Sequence, residues 1–158
     1  MSGALIHGTA VSIDGWGVLL LGPSAAGKSD LALRLIDRGA MLVSDDAVPV
    51  VIDASGPELH TAQNIEGRLE VRGIGIVSVP HVTRVPLRLV IELAESVERL
   101  PVDGKCSTIC GFSVPTTKLL PFEASAPLKV EYALRMVIDA GTSPMASHAE
   151  LTQESRND

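Results

Sequence analysis

A single α/β domain, with a central β-sheet flanked by helices, is the fold class this 158-residue sequence predicts, and three observations predict it. The apolar run Val18-Leu19-Leu20-Leu21 enters a glycine-rich loop and is followed by helical spacing to Arg38, a strand–loop–helix unit. Hydrophobic residues make up 46% of the chain but aromatic residues only 3%. The core must therefore be built from Val, Leu, Ile and Ala, which suits a buried sheet covered by helices. Short β-branched runs fill the space between two stretches of helical periodicity. A chain of this length is enough for one substantial core.

Taken in order, residues 9–13 alternate like a strand, Asp14-Gly15 is a turn signal, and 18–21 return as a hairpin partner. A helix over 29–38 places Leu31, Leu35 and Ile36 on one stripe and is closed by Gly39. Residues 41–44 form a short apolar run that meets Asp45 and Asp46, and 48–52 continue as a strand turned by 54–57. Residues 70–79 alternate around glycines, and 85–93 make a further strand with Pro86 at its start or on an edge. From 94 to 113 the pattern weakens into an exposed loop. A second helix over 126–140 has Pro127 in its first turn and Gly141 just past its end. The domain is thus expected over 1–141, with 142–158 a flexible or loosely docked tail.

The loop itself, Gly22-Pro23-Ser24-Ala25-Ala26-Gly27-Lys28-Ser29, is a complete G-x-x-x-x-G-K-[ST] phosphate-binding motif. A strand feeding such a turn into a helix N-terminus lets backbone N–H groups converge on phosphate oxygens. Lys28 adds a positive charge for the β- and γ-phosphates, and the Ser29 hydroxyl is placed to ligate Mg²⁺. The expected ligand is a nucleoside triphosphate with magnesium. No N-K-x-D guanine-reading motif occurs, which argues against a GTPase switch.

Net charge and hydropathy narrow the partners. A formal charge of -6 gives no general electrostatic footprint for nucleic acid. No basic leader or membrane-length apolar run is present, so a soluble cytoplasmic location is expected. Cys106 and Cys110 have no second Cys or His pair beside them and read as reduced thiols.

Phosphate binding becomes transfer only with a further group near the γ-phosphate. Asp45 and Asp46 stand at the end of an apolar run, where neighbouring residues point to opposite faces. One could accept a hydroxyl proton while the other holds the metal through water. Glu70 and Arg72 flank Val71 in a strand-like stretch and would share a face, either as metal and phosphate ligands or as an ordinary exposed pair.

Several stretches then carry a family resemblance, in order along the chain. They are Leu5-Ile6-His7-Gly8, the loop at 22–29, Ser29-Asp30-Leu31-Ala32-Leu33, and Arg38-Gly39 leading into Leu42-Val43-Ser44-Asp45-Asp46-Ala47-Val48. Glu70-Val71-Arg72-Gly73-Ile74-Gly75-Ile76 follows and is more specific than the phosphate loop. Together they resemble the catalytic domain of the HPr kinase/phosphorylase family, bacterial enzymes acting on a serine of the phosphocarrier protein HPr. The resemblance covers residues 5 to 138 and weakens after Leu93.

It implies a P-loop kinase domain of the HPr kinase/PEP carboxykinase type. His7 would be the active-site histidine, Lys28 the phosphate-binding lysine, and Asp46 the proton acceptor with Asp45 beside it. Ser29 and Glu70 would be magnesium ligands, and Arg99, in Glu98-Arg99-Leu100, the catalytic arginine. The implied function is a Mg-ATP-dependent protein serine kinase acting on HPr or an HPr-like carrier, assembled as a homo-oligomer, a hexamer in the family. Two departures stand out. The chain resembles a short form with the catalytic domain only. Residues 121–126, Pro-Phe-Glu-Ala-Ser-Ala, replace a basic segment that the family associates with dephosphorylation. The competing functions are a small-molecule kinase using the same loop and a non-catalytic ATP sensor.

Overall fold

The apolar run ahead of the phosphate loop forms β3 (Trp16–Leu21), and it is almost wholly buried because both faces of the sheet are covered at this point. The computed structural model describes residues 3–100 and 104–146. Before β3 come β1 (Gly3–His7) and β2 (Thr9–Ile13), and after it α1 (Lys28–Asp37). The chain continues through β4 (Met41–Ser44), β5 (Ala47–Asp53), β6 (Gly56–His60), β7 (Arg68–Val71) and β8 (Gly75–Ser78). It ends with β9 (Arg84–Leu93), β10 (Cys106–Ile109), β11 (Phe112–Leu119), α2 (Ala126–Asp139) and β12 (Met145–Ala146).

The main sheet runs β1-β5-β6-β9-β3-β2-β4, with β11 joined to β9 and β10 and β12 joined to β11. Ten-residue β9 is its axis. Its first residues pair with β6, its last four with β11, and β3 lies along it in parallel. The β3–β9 and β9–β11 pairs are parallel and every other pair between these strands is antiparallel, so the strand ends that matter, those of β3, β9 and β11, point the same way. Both helices cover one face. Leu31, Ala32 and Leu35 of α1 and Val130 and Leu134 of α2 join Val18, Leu20, Leu89 and Ile91 in one core. The other face buries Leu19, Val90, Val48, Leu59 and Val114 against the curled sheet's own strands. Burying each of these Leu, Ile and Val side chains is worth about 1.5–3 kcal/mol before chain entropy is set against it.

The predicted mixed α/β class, the β2–β3 hairpin and both helices are present, the helices within one residue of the expected start and end. Asp14 and Gly15 both take positive φ, as a two-residue hairpin turn of this twist demands. Three expectations change. The stretch 94–113 is not a loop throughout, because β10 pairs with β11 around Cys110-Gly111, again with positive φ at both. Both cysteines are free, and burial raises the Cys110 thiol above its ordinary value. Residues 70–79 are a hairpin, β7 and β8, with the chain reversing at 72–74. The turn after β5 is complete by Ser55, whose N–H bonds the Asp53 carboxylate, so β6 already contains Pro57. Within the expected tail, Thr142 accepts from Arg88 and β12 pairs with β11. The rest of that tail, 147–158, lies outside the described residues.

Candidate active site

Where β3 ends, the chain turns through residues 22–27 and enters α1 at Lys28. Ala25 and Gly27 take left-handed φ of 65° and 97°. Gly27 is required twice over, since an added Cβ would also lie 2.9 Å from the Phe122 ring. Lys28 folds across the loop, its ammonium donating to the carbonyls of Gly22 at 2.8 Å and Pro23 at 2.9 Å. Its side chain is buried, and among the described residues no carboxylate pairs with it. A buried cation balanced only by carbonyl dipoles is a strong attractor for an anion.

The acids separate. Asp45, just past β4, is 8% exposed and lies against the start of α1. Its Oδ1 accepts from the Ser29 hydroxyl at 2.8 Å and the Thr9 hydroxyl at 3.0 Å, and its Oδ2 from the Glu70 backbone N–H at 3.2 Å. Four segments therefore meet on one carboxylate. Asp46 instead takes a left-handed φ of 69° and turns outward, its side chain 81% exposed. Its carbonyl is held by the N–H of Gly8 at 3.1 Å, and its carboxylate stands 3.6 Å from Nδ1 of His7. The β1–β5 pairing that sets His7 opposite Ala47 fixes this approach. Gly8 permits it, because a Cβ there would lie 2.8 Å from the Leu20 carbonyl oxygen.

His7, Lys28, Ser29, Asp45, Asp46 and Glu70 all line one cavity of about 690 Å³, together with the 72–74 turn of the β7–β8 hairpin. Arg72 sits in that turn and not in strand alternation with Glu70. Arg99 is exposed in the segment 94–100 after β9, and the cavity wall is made by other residues. Thr9 and Phe122 were not singled out from sequence. Thr9 is one of two hydroxyl residues in β2, with a partner 36 residues away that no local pattern reveals. Phe122 gave a weak signal as one of two phenylalanines in the chain, standing in the segment that departs from the family pattern.

Ser29 and Asp45 bring hard oxygen donors together, with Glu70 in the same cavity, which is the donor chemistry magnesium takes. Among the described residues no cluster of three His, Cys, Asp or Glu side chains forms a cage of its own. That also fits magnesium, which is usually held by one or two side chains together with substrate phosphates.

A buried lysine in a phosphate loop, a serine bonded to a strand-end acid and a second acid at the mouth define a P-loop protein equipped for phosphate chemistry. The comparisons with known proteins then make the assignment specific. Residues 2–143 match the family described as HPr Serine kinase C-terminal domain, and the chain belongs to that family. It is 36% identical over 131 residues to an HPr kinase/phosphorylase of Prosthecochloris aestuarii, covering 72% of this chain and 37% of the relative. The corresponding enzyme of Cupriavidus metallidurans is 36% identical over 133 residues, covering 72% and 39%. Among solved structures, the Hpr(Ser) kinase/phosphatase from Coxiella burnetii matches with a TM-score of 0.72 at 30% identity, covering 84% of this chain and 94% of that one. The chain thus spans little more than a third of the length of these curated relatives.

Proposed function

We propose that this chain is a Mg-ATP-dependent protein serine kinase whose acceptor is HPr or an HPr-like phosphocarrier. The observation that carries the reading is the division of labour between adjacent acids, Asp45 on the Ser29 hydroxyl and Asp46 at the cavity mouth beside His7. In this mechanism Lys28 and the loop amides bind the phosphates. Ser29, Asp45 and Glu70 would hold magnesium, which when bound neutralises charge on the β- and γ-phosphates. The acceptor serine oxygen forms a bond to the γ-phosphorus as the bond to the β–γ bridging oxygen breaks, and the serine proton passes to Asp46. His7 orients that carboxylate. Arg99 would have to approach from the segment 94–100 to cover the developing charge.

Reversal by phosphate is expected to be slow, because residues 121–126 carry no basic side chain beside the loop. Assembly as a hexamer and a cytoplasmic location rest on the family alone. Sedimentation of the purified chain tests the first. No helix among the described residues is long and apolar enough to cross a membrane.

The deciding experiment incubates the protein and Mg²⁺ with γ-labelled ATP and the host's HPr-like protein. Label on a serine that disappears with Lys28→Ala supports the proposal. ATP binding without any labelling refutes it in favour of another acceptor or a sensor.

A further inference from the structure

Arg34 stands one turn along α1 from Asp30, where the helix meets the segment between β11 and α2. Its guanidinium forks across that segment. One terminal nitrogen donates to the Pro121 carbonyl and pairs with Asp30 at 2.9 Å, while the other donates to the Glu123 carbonyl at 3.0 Å. The Glu123 carbonyl also accepts the Ala126 N–H at 3.0 Å, so the turn into α2 closes on the same atom. Nε of Arg34 is buried and has no hydrogen-bond partner among the described residues. An orphaned donor is a cost. An apolar side chain of similar length could cover this stretch of helix without it, so packing alone gives little reason for an arginine here.

What the fork fixes is Phe122, the residue between the two bonded carbonyls. Its ring lies 2.9 Å from where a Cβ on Gly27 would stand, and Pro121 lies 3.3 Å from the same point. The ring is otherwise 69% exposed, so the fork and this contact are what hold it. Gly27 is the left-handed residue from which α1 starts, and the first N–H groups of a helix are the ones that converge on phosphate. We infer that Arg34 is a positioning residue for phosphate binding; this rests on the phosphate-loop reading above. By tying residues 121–123 to α1 it seats Phe122 on Gly27 and keeps that hinge of the loop in its binding shape before a ligand arrives. Hydrogen bonds within the loop still set its form, so the ring adds pre-organisation and its effect is modest. Asp30 lines the phosphate cavity, and Arg34 also offsets its charge there. The test separates that simpler role from the clamp.

Calorimetric titration of the full chain with Mg-tripolyphosphate, which has no base or sugar, tests this. Arg34→Met keeps the stem and removes the fork, and Phe122→Ala removes the ring. Each is expected to weaken binding about fivefold, and the double variant no more than either alone, because both act through one contact. Losses that multiply to about twenty-fivefold overturn the inference, as does unchanged affinity in Arg34→Met. So does a lower urea midpoint without the shared loss of affinity, which is what a purely structural role would give. Full affinity regained in Arg34→Met/Asp30→Asn overturns it in favour of charge neutralisation. Should Arg34→Met not fold, Arg34→Lys takes its place, keeping the charge beside Asp30 without the planar fork. It is expected to lose about fivefold, and full affinity in it overturns the clamp. A wild-type chain that does not bind tripolyphosphate would instead overturn the phosphate-loop reading, and this inference with it.

Discussion

The phosphate loop and the acid corner beside it are built in opposite ways. Residues 22–29 are contiguous, and the bonds from Lys28 to Gly22 and Pro23 and from Ala26 to Pro23 close within the loop, while the Ser29 hydroxyl alone of these reaches out, to Asp45. The acid corner is assembled from the start of β2, the start of α1 and β7, joined through the buried Asp45 carboxylate after β4, with His7 at the end of β1 against the exposed Asp46. A local device survives small movements of the rest of the fold. The acid corner does not, because its contacts come from segments far apart in the chain. Binding should therefore be robust and chemistry fragile.

The largest effect tests the loop. Lys28→Ala should lower phosphoryl transfer at least about hundredfold, with nucleotide affinity falling in parallel, because it removes a buried cation in contact with the loop. Transfer within a few-fold of wild type would remove Lys28 from the site. Next comes the corner. Asp46→Asn should cut kcat about 10²- to 10⁴-fold with little change in nucleotide KM, as loss of a general base does. Asp45→Asn should chiefly raise the magnesium concentration needed, since its carboxylate serves Ser29. If the two variants exchange these phenotypes, the division between the acids is wrong.

Thr9→Val probes the corner through a direct partner of Asp45. It leaves a buried carboxylate one donor short and should lower stability by about 1–3 kcal/mol in urea unfolding, with Thr9→Ser recovering most of it. Transfer should fall as well, whereas tripolyphosphate binding, a property of the loop, should hold. A uniform loss of both would show the two regions to be coupled. The smallest effect is a control. Arg38 pairs with Glu131 at 2.9 Å between the helices, and this pairing raises the guanidinium pKa further. The pair is at the surface, so Arg38→Ala should leave transfer unchanged and the melting temperature nearly so. A marked fall in melting temperature would assign this pair a structural role that its exposure does not suggest.

Legibility from sequence follows the same division. The β2–β3 hairpin, α1 and α2 are readable because Asp14-Gly15, Gly39 and Pro127 punctuate them, and because each helix buries one stripe while β3 is an unbroken apolar run. β1 was not, since it is an edge strand exposed on most of its residues and shows no alternation. The β10–β11 hairpin hid for a related reason. Its strands mix Ser, Thr, Pro and Lys with few apolar residues, and the chain before it is charged and exposed. The β7–β8 reversal is masked by its own glycines, which in sequence look like interruptions of one strand.

The order of the residues by itself determined the strand–loop–helix unit and placed a lysine and a serine at its phosphate-binding turn, because those interactions span only a few residues of chain. Pairing a strand with a distant strand is different, since the partner's identity is not written near either one. Only the tertiary structure sent Asp45 inward to Ser29 and Thr9 and turned Asp46 outward to His7. The reason is a single left-handed residue after β4, held by the bond from Gly8 to the Asp46 carbonyl across the β1–β5 pairing, which gives two identical neighbours opposite environments.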